Sequence, residues 1–114
     1  MEFHELTKKV IAFRDAREWA KFHNPKDVAI SLILEASELL EIFQWKNEHE
    51  VENTVKTDIE TISDELADVL YWVLLLAHDL NIDIASALMQ KLQKNEKKYP
   101  KNKAKGKAQK YTEL

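Results

Sequence analysis

Apolar residues recur at helical spacing along most of this chain. Positions 6, 10, 13 and 17 (Leu6, Val10, Phe13, Arg17) share one stripe, with Ile11 and Trp19 near its edges, and predict a first helix from about Phe3 to Phe22. Asn24-Pro25-Lys26-Asp27 then reads as a helix start, with Asn as N-cap, Pro at the first helical position and an acid in the first turn. The second helix is expected from Pro25 to about Lys46. Asn47 to Asn53 has no apolar period and is expected to be a polar loop. Thr57-Asp58-Ile59-Glu60 has the capping-box form and opens a third helix, with a start one turn earlier near Thr54 as the alternative, reaching His78 or Asp79. From Leu66 to Ala77 that helix is apolar nearly all round, so it needs cover on several sides. A fourth helix, Asp83 to about Lys98, turns Ile84, Ala87, Leu88 and Leu92 inward and stops at Pro100. Lys101 to Leu114 reads as a tail docked by Tyr111 and Leu114.

No run alternates apolar and polar residues between turn signals, and one Gly and two Pro leave almost no hairpin chemistry. The fold class is therefore all-α, a four-helix bundle over residues 1–100 followed by a Lys-rich tail over 101–114. Three short partners do not readily cover the Leu66 to Ala77 segment, so a homodimer or larger homo-oligomer is expected.

Charge divides the chain in two. The net charge is −3, but residues 1–90 carry 8 Lys and Arg against 18 Asp and Glu, whereas residues 91–114 carry 9 against 2. An acidic body argues against a duplex-binding face, so nucleic acid is not an expected partner. Cysteine is absent, which excludes disulfides and thiolate zinc sites. The longest apolar run, Val69 to Ala77, falls short of the ~18 residues of a membrane span, and the N-terminus lacks the pattern of a signal peptide. A cytoplasmic protein with no membrane partner is expected.

The acids of the body carry the chemistry. Glu35 and Glu38 are spaced i, i+3, as are Glu65 and Asp68, so each pair lies on one helix face within apolar surroundings. Surface ion pairing is the alternative, and it can be checked by neighbours. Those of Glu35 at i±3 and i±4 are Ser31, Leu32, Glu38 and Leu39; those of Asp68 are Asp64, Glu65, Tyr71 and Trp72. Neither set, nor those of Glu38 and Glu65, contains Lys or Arg. Like charges at these spacings cost ~0.2–0.5 kcal/mol per pair, so the helices lose stability unless a cation compensates. Two such helices packed antiparallel would gather four carboxylates into an all-oxygen site suited to Mg²⁺ or Mn²⁺. Di-iron bundles need Glu-x-x-His, which is absent, and a calcium loop needs acids around a Gly turn, whereas Gly106 stands far from any acid cluster. Mg²⁺ held by four carboxylates suits phosphate chemistry, in which lysines such as Lys91, Lys94, Lys97 and Lys98 meet phosphate oxygens. Each of Trp19, Trp45 and Trp72 alone is as readily a core residue as a base contact; together with the acids they suggest a nucleotide site.

With these residues the sequence resembles the MazG-like all-α nucleoside triphosphate pyrophosphatases, in particular the dCTP pyrophosphatase branch. The acid pattern is matched by Glu35, Glu38, Glu65 and Asp68. Its flanks are Arg17-Glu18-Trp19, Phe22-His23-Asn24-Pro25, Phe43-Gln44-Trp45-Lys46, Asp64 to Leu70, Asn95 with Tyr99-Pro100, and Lys110-Tyr111-Thr112. The resemblance implies that the four acids bind Mg²⁺ and that water attacks the α-phosphorus, releasing pyrophosphate. It also implies a base pocket of Trp19, His23 and Trp45 with Trp72 beside it, and sugar or phosphate contacts from Lys91, Asn95, Lys98 and Tyr99. Dimers or tetramers would complete the site. Glu38 or Glu41 is the candidate catalytic base. Animal members of the branch tend to carry His at the position of Val10 and Tyr at that of Trp72, which leaves the base preference open. The rival class is a non-catalytic helical scaffold using its basic tail.

Overall fold

The computed structural model describes residues 2–114, and every regular element among them is helical. The all-α expectation holds, but the count of four helices does not. There are six α-helices: α1 (Phe3–Ala16), α2 (Pro25–Phe43), α3 (Glu48–Thr57), α4 (Ile59–Asp79), α5 (Ile84–Lys98) and α6 (Lys101–Ala104), with 3₁₀ turns at Ala20–Phe22 and Tyr111–Glu113. They form two compact units that divide after Asn81.

In the first unit α2 lies along α4, α1 packs on α4, and α3 touches both α2 and α4. Its core is small: Val28 from α2 with Ile62, Leu74, Leu75 and Ala77 from α4. The first helix ends six residues before the sequence pattern suggested. The backbone N–H groups of Arg17 and Trp19 both donate to the Arg14 carbonyl, at 3.1 and 3.2 Å, and Glu18 takes a left-handed φ of 54°. The apolar pattern continues through this turn because Trp19, though 42% exposed, still meets Phe13 of α1, which is why the pattern hid the break. Asn24 caps α2 as expected, accepting from the Asp27 N–H at 2.9 Å with Pro25 behind it.

The expected loop at 47–53 is a helix. Asn47 accepts from the Glu50 N–H at 2.9 Å, and Glu50 accepts from the Asn47 N–H at 3.3 Å, a complete capping box. One buried residue, Thr54, anchors α3; its hydroxyl donates to the Glu50 carbonyl and accepts from Lys46 Nζ, both at 2.9 Å. The box expected at Thr57 to Glu60 does not form. Asp58 closes α3 through its N–H to the Thr54 carbonyl at 2.8 Å and opens α4 without a side-chain cap.

The all-round apolar segment of α4 is only partly covered. Leu74, Leu75 and Ala77 are buried, while Leu66 is 53% exposed. Ile33, Leu34 and Leu40 of α2 are more open still, and Leu70 of α4 is less so.

In the second unit Asp83 caps α5 by accepting from the Ser86 N–H at 3.1 Å. The tail folds back on itself through Gly106, at φ 77°, where an L side chain would be strained. Tyr111 meets Tyr99 edge-on at 6.0 Å, and the Lys98 ammonium lies 5.0 Å from the Tyr111 ring. No single helix among the described residues is long and apolar enough to cross a membrane.

Candidate functional site

Because α2 and α4 pack on each other, the two acid pairs face one another. One oxygen from each of Glu35, Glu38, Glu65 and Asp68 lies within 4.8 Å of the others. Glu35 and Glu65 are half-buried, Glu38 and Asp68 exposed. Glu35 Oε2 and Glu65 Oε2 are buried without a hydrogen-bond partner. The only ion pairs among the described residues are Arg14 with Asp15 and with Asp79, so no cationic side chain neutralises the cluster. The electrostatics follow from that. Burial first, and then Glu38 and Asp68, push the Glu35 carboxyl above its ordinary range, the Trp72 indole acting weakly the other way. Glu65 is pushed up for the same reasons, with Asp64 adding to Glu38 and Asp68. Four convergent carboxylates, two with orphaned buried oxygens, fit a hard divalent cation with oxygen ligands. Glu41, a turn beyond Glu38, is exposed and stands outside the cluster.

A cavity of about 430 Å³ adjoins these acids, with Glu35 and Asp68 forming part of its wall. The rest comes from Leu6, Lys9, Val10 and Phe13 of α1, Trp19 of the following turn, and Tyr71 and Trp72 of α4. The rings meet edge to face: Phe13 with Trp19 at 5.9 Å, Phe13 with Tyr71 at 6.1 Å, and Tyr71 with Trp72 at 5.0 Å. Arg17 lies over the Phe13 ring at 3.7 Å and near Trp19 at 5.9 Å. Such a space suits a flat ring system, with carboxylates at one side for whatever the ring carries.

Of the residues expected at the site, Trp19 and Trp72 line this cavity. His23 meets it through Trp72, ring edge to ring face at 5.4 Å. Its Nδ1 is buried and unpartnered, and burial followed by Arg14 pushes its basicity down, against a smaller lift from Asp79. Trp45 is not in the wall; it is 92% exposed, in a left-handed conformation at φ 66°. Lys91, Asn95, Lys98 and Tyr99 belong to the second unit. Sequence reasoning overlooked Phe13, Tyr71 and Lys9 as wall residues. A signal for Tyr71 was available, since Tyr71 and Trp72 stand at i+3 and i+4 from Asp68 and so share its face.

The chain matches the model of the MazG-like family over residues 30–114. It is a MazG-like protein. This family member is 34% identical over 104 residues to dCTP pyrophosphatase 1 of Homo sapiens and 35% identical to that of Mus musculus. Both alignments take in 90% of this chain but 61% of the relative, so the MazG-like chain spans about three fifths of their length. It is also similar to the crystal structure of a pyrophosphatase from Archaeoglobus fulgidus, with a TM-score of 0.81 and 40% identity over 85% of this chain and 91% of the other. The family match contains all four clustered acids and begins after Trp19 and His23.

Proposed function

We propose that this MazG-like protein is a Mg²⁺-dependent nucleoside triphosphate pyrophosphohydrolase whose preferred substrate is dCTP or a modified dCTP. The observation that carries the reading is the convergence of four uncompensated carboxylates beside an aromatic cavity. The similarity to proteins named dCTP pyrophosphatase supports the substrate class. In the reaction a water oxygen bonds to the α-phosphorus, the bridging oxygen between α and β leaves with pyrophosphate, and the monophosphate remains.

Glu35, Glu38, Glu65 and Asp68 would hold Mg²⁺ or Mn²⁺. Bound there, the ion supplies positive charge to the phosphate oxygens and acidity to a water. Glu38 within the cluster or Glu41 outside it takes the proton of the attacking water. Trp19, Trp72, Phe13 and Tyr71 receive the base, and His23 braces Trp72 from behind. Trp45, Lys91, Asn95, Lys98 and Tyr99 are assigned to the substrate by family resemblance. Trp45 is exposed and lies outside the cavity wall.

A homo-oligomer is part of the same proposal. Ile33, Leu34 and Leu40 of α2 with Leu66 and Leu70 of α4 leave an open apolar surface that a second copy would bury. Incubation with each canonical and modified triphosphate, followed by separation of the products, tests the activity. Monophosphate and pyrophosphate in equal amounts, abolished by EDTA and restored by Mg²⁺, are expected. Orthophosphate as first product, or full activity in excess EDTA, overturns the reading.

A further inference from the structure

Arg14 is the one buried charge of α1, 6% exposed, and it spends that burial on Asp79 at the far end of α4. Its Nη1 donates to both carboxylate oxygens, at 2.9 and 2.8 Å. The pair is only part-buried, since the Asp79 side chain is 27% exposed, and such a pair is weak grounds for stability. What such a pair adds is direction. The backbone of Arg14 shows what is being directed, since its carbonyl is the shared acceptor for the N–H groups of Arg17 and Trp19. The turn hung on that carbonyl passes through Glu18 at φ 54°, a left-handed conformation that is unfavourable for a residue with a Cβ. Trp19, carried by this turn, forms one wall of the cavity, and its edge contact with Phe13 ties it to the ring system shared with Tyr71.

We propose that the Arg14–Asp79 pair is a positioning device that locks the Arg17-Glu18-Trp19 turn to α4 and so fixes Trp19 against the ring of the bound nucleotide. Arg14 and Asp79 are positioning residues, not catalytic ones, since neither lines the cavity. The inference rests on the reading of that cavity as the base site. Loosening the pair should blunt nucleotide binding and leave the phosphate chemistry at the acids intact.

The test is Asp79→Asn compared with Val28→Ala, a buried core change on α2 outside the cavity wall that lowers stability. For Asp79→Asn, KM is expected to rise about five- to ten-fold, the scale of weakened base stacking, with kcat within about two-fold. Val28→Ala should lower Tm with KM unchanged. Should Asp79→Asn not fold, Arg14→Gln, which keeps a polar side chain and removes the charge from the pair, gives the same comparison. Acrylamide quenching of Trp19 is read in a Trp45→Phe/Trp72→Phe background without nucleotide, so it decides the matter independently of turnover. Greater quenching with Asp79→Asn than with Val28→Ala is expected. Equal quenching, or a KM that moves alike in both variants, reduces the pair to a staple and overturns the proposal. If no triphosphate is hydrolysed but quenching still separates the variants, the functional reading fails and the positioning role stands.

Discussion

Glu65 illustrates what the single residue decides. Its Oε2 is buried and unpartnered, and its charged neighbours are all acids: Glu38, Asp68 and Asp64. Removing its charge should therefore stabilise the protein without metal and disable it with metal. Glu65→Gln is expected to raise Tm in EDTA, to lose the rise in Tm that Mg²⁺ gives the wild type, and to abolish hydrolysis. Thermal melts with and without Mg²⁺ check this; a lower Tm in EDTA would show that the repulsion is not felt. The sign of the pH dependence follows from the same cluster. Glu35 and Glu65 are held above 4.5 in the folded state, so between that value and their raised folded values the native protein binds more protons than the unfolded chain. The metal-free protein should lose stability as pH rises through that window. His23 acts oppositely, being held below 6.5, so its contribution is lost as pH falls. Comparing the wild type with Glu35→Gln in EDTA cancels the His23 contribution; the advantage of the variant should grow as pH rises from about 4.5, and a constant difference would contradict it.

At the scale of the element, α3 shows where periodicity misleads. Glu48–Thr57 buries little besides Thr54, so it has almost no apolar stripe to detect, and its existence rests on the Asn47–Glu50 box and two neighbouring helices. Asn47→Ala should cost about 0.5–2 kcal/mol of stability, measurable in urea melts, with catalysis unchanged below the transition. A change under ~0.3 kcal/mol would show that packing alone holds α3. The break after Ala16 is the opposite case: the apolar pattern persists, but the backbone turns through Glu18 so that Trp19 still points at the cavity. Residue spacing reports which side chains are used inward, not whether the helix carrying them is continuous.

The molecule as a whole buries too little. Among the described residues five apolar side chains are buried as a core, while Ile33 at 64%, Leu34 at 60% and Leu66 at 53% face outward. Within the first unit none of the described helices covers them, and Trp45 is more open still, at 92%. Leu34→Glu is expected to shift the protein to monomers in sedimentation, to keep its helical circular dichroism, and to lose most of its activity. An unchanged oligomer, or a wild type that already sediments as a monomer, would remove the proposed interface. The same scale explains why a long apolar segment could be recognised in α4 while its partner could not: composition shows that surface must be covered, never by what.

The sequence by itself determined the helical class, the start of α2 at Asn24 and Pro25, and the pairing of Glu35 with Glu38 and of Glu65 with Asp68. Each is a local matter, since Pro and Asn set backbone and cap chemistry, and i, i+3 spacing puts two carboxylates on one face whatever the rest of the chain does. Only the tertiary structure decided which face of α2 meets which face of α4, and hence that four acids share 4.8 Å while Glu41 stays outside. It likewise set Trp19 and Trp72 into one wall with Phe13 and Tyr71 and left Trp45 in the open. Those outcomes depend on contacts between residues tens of positions apart, Arg14 with Asp79 among them, and spacing along a chain carries no record of such pairs.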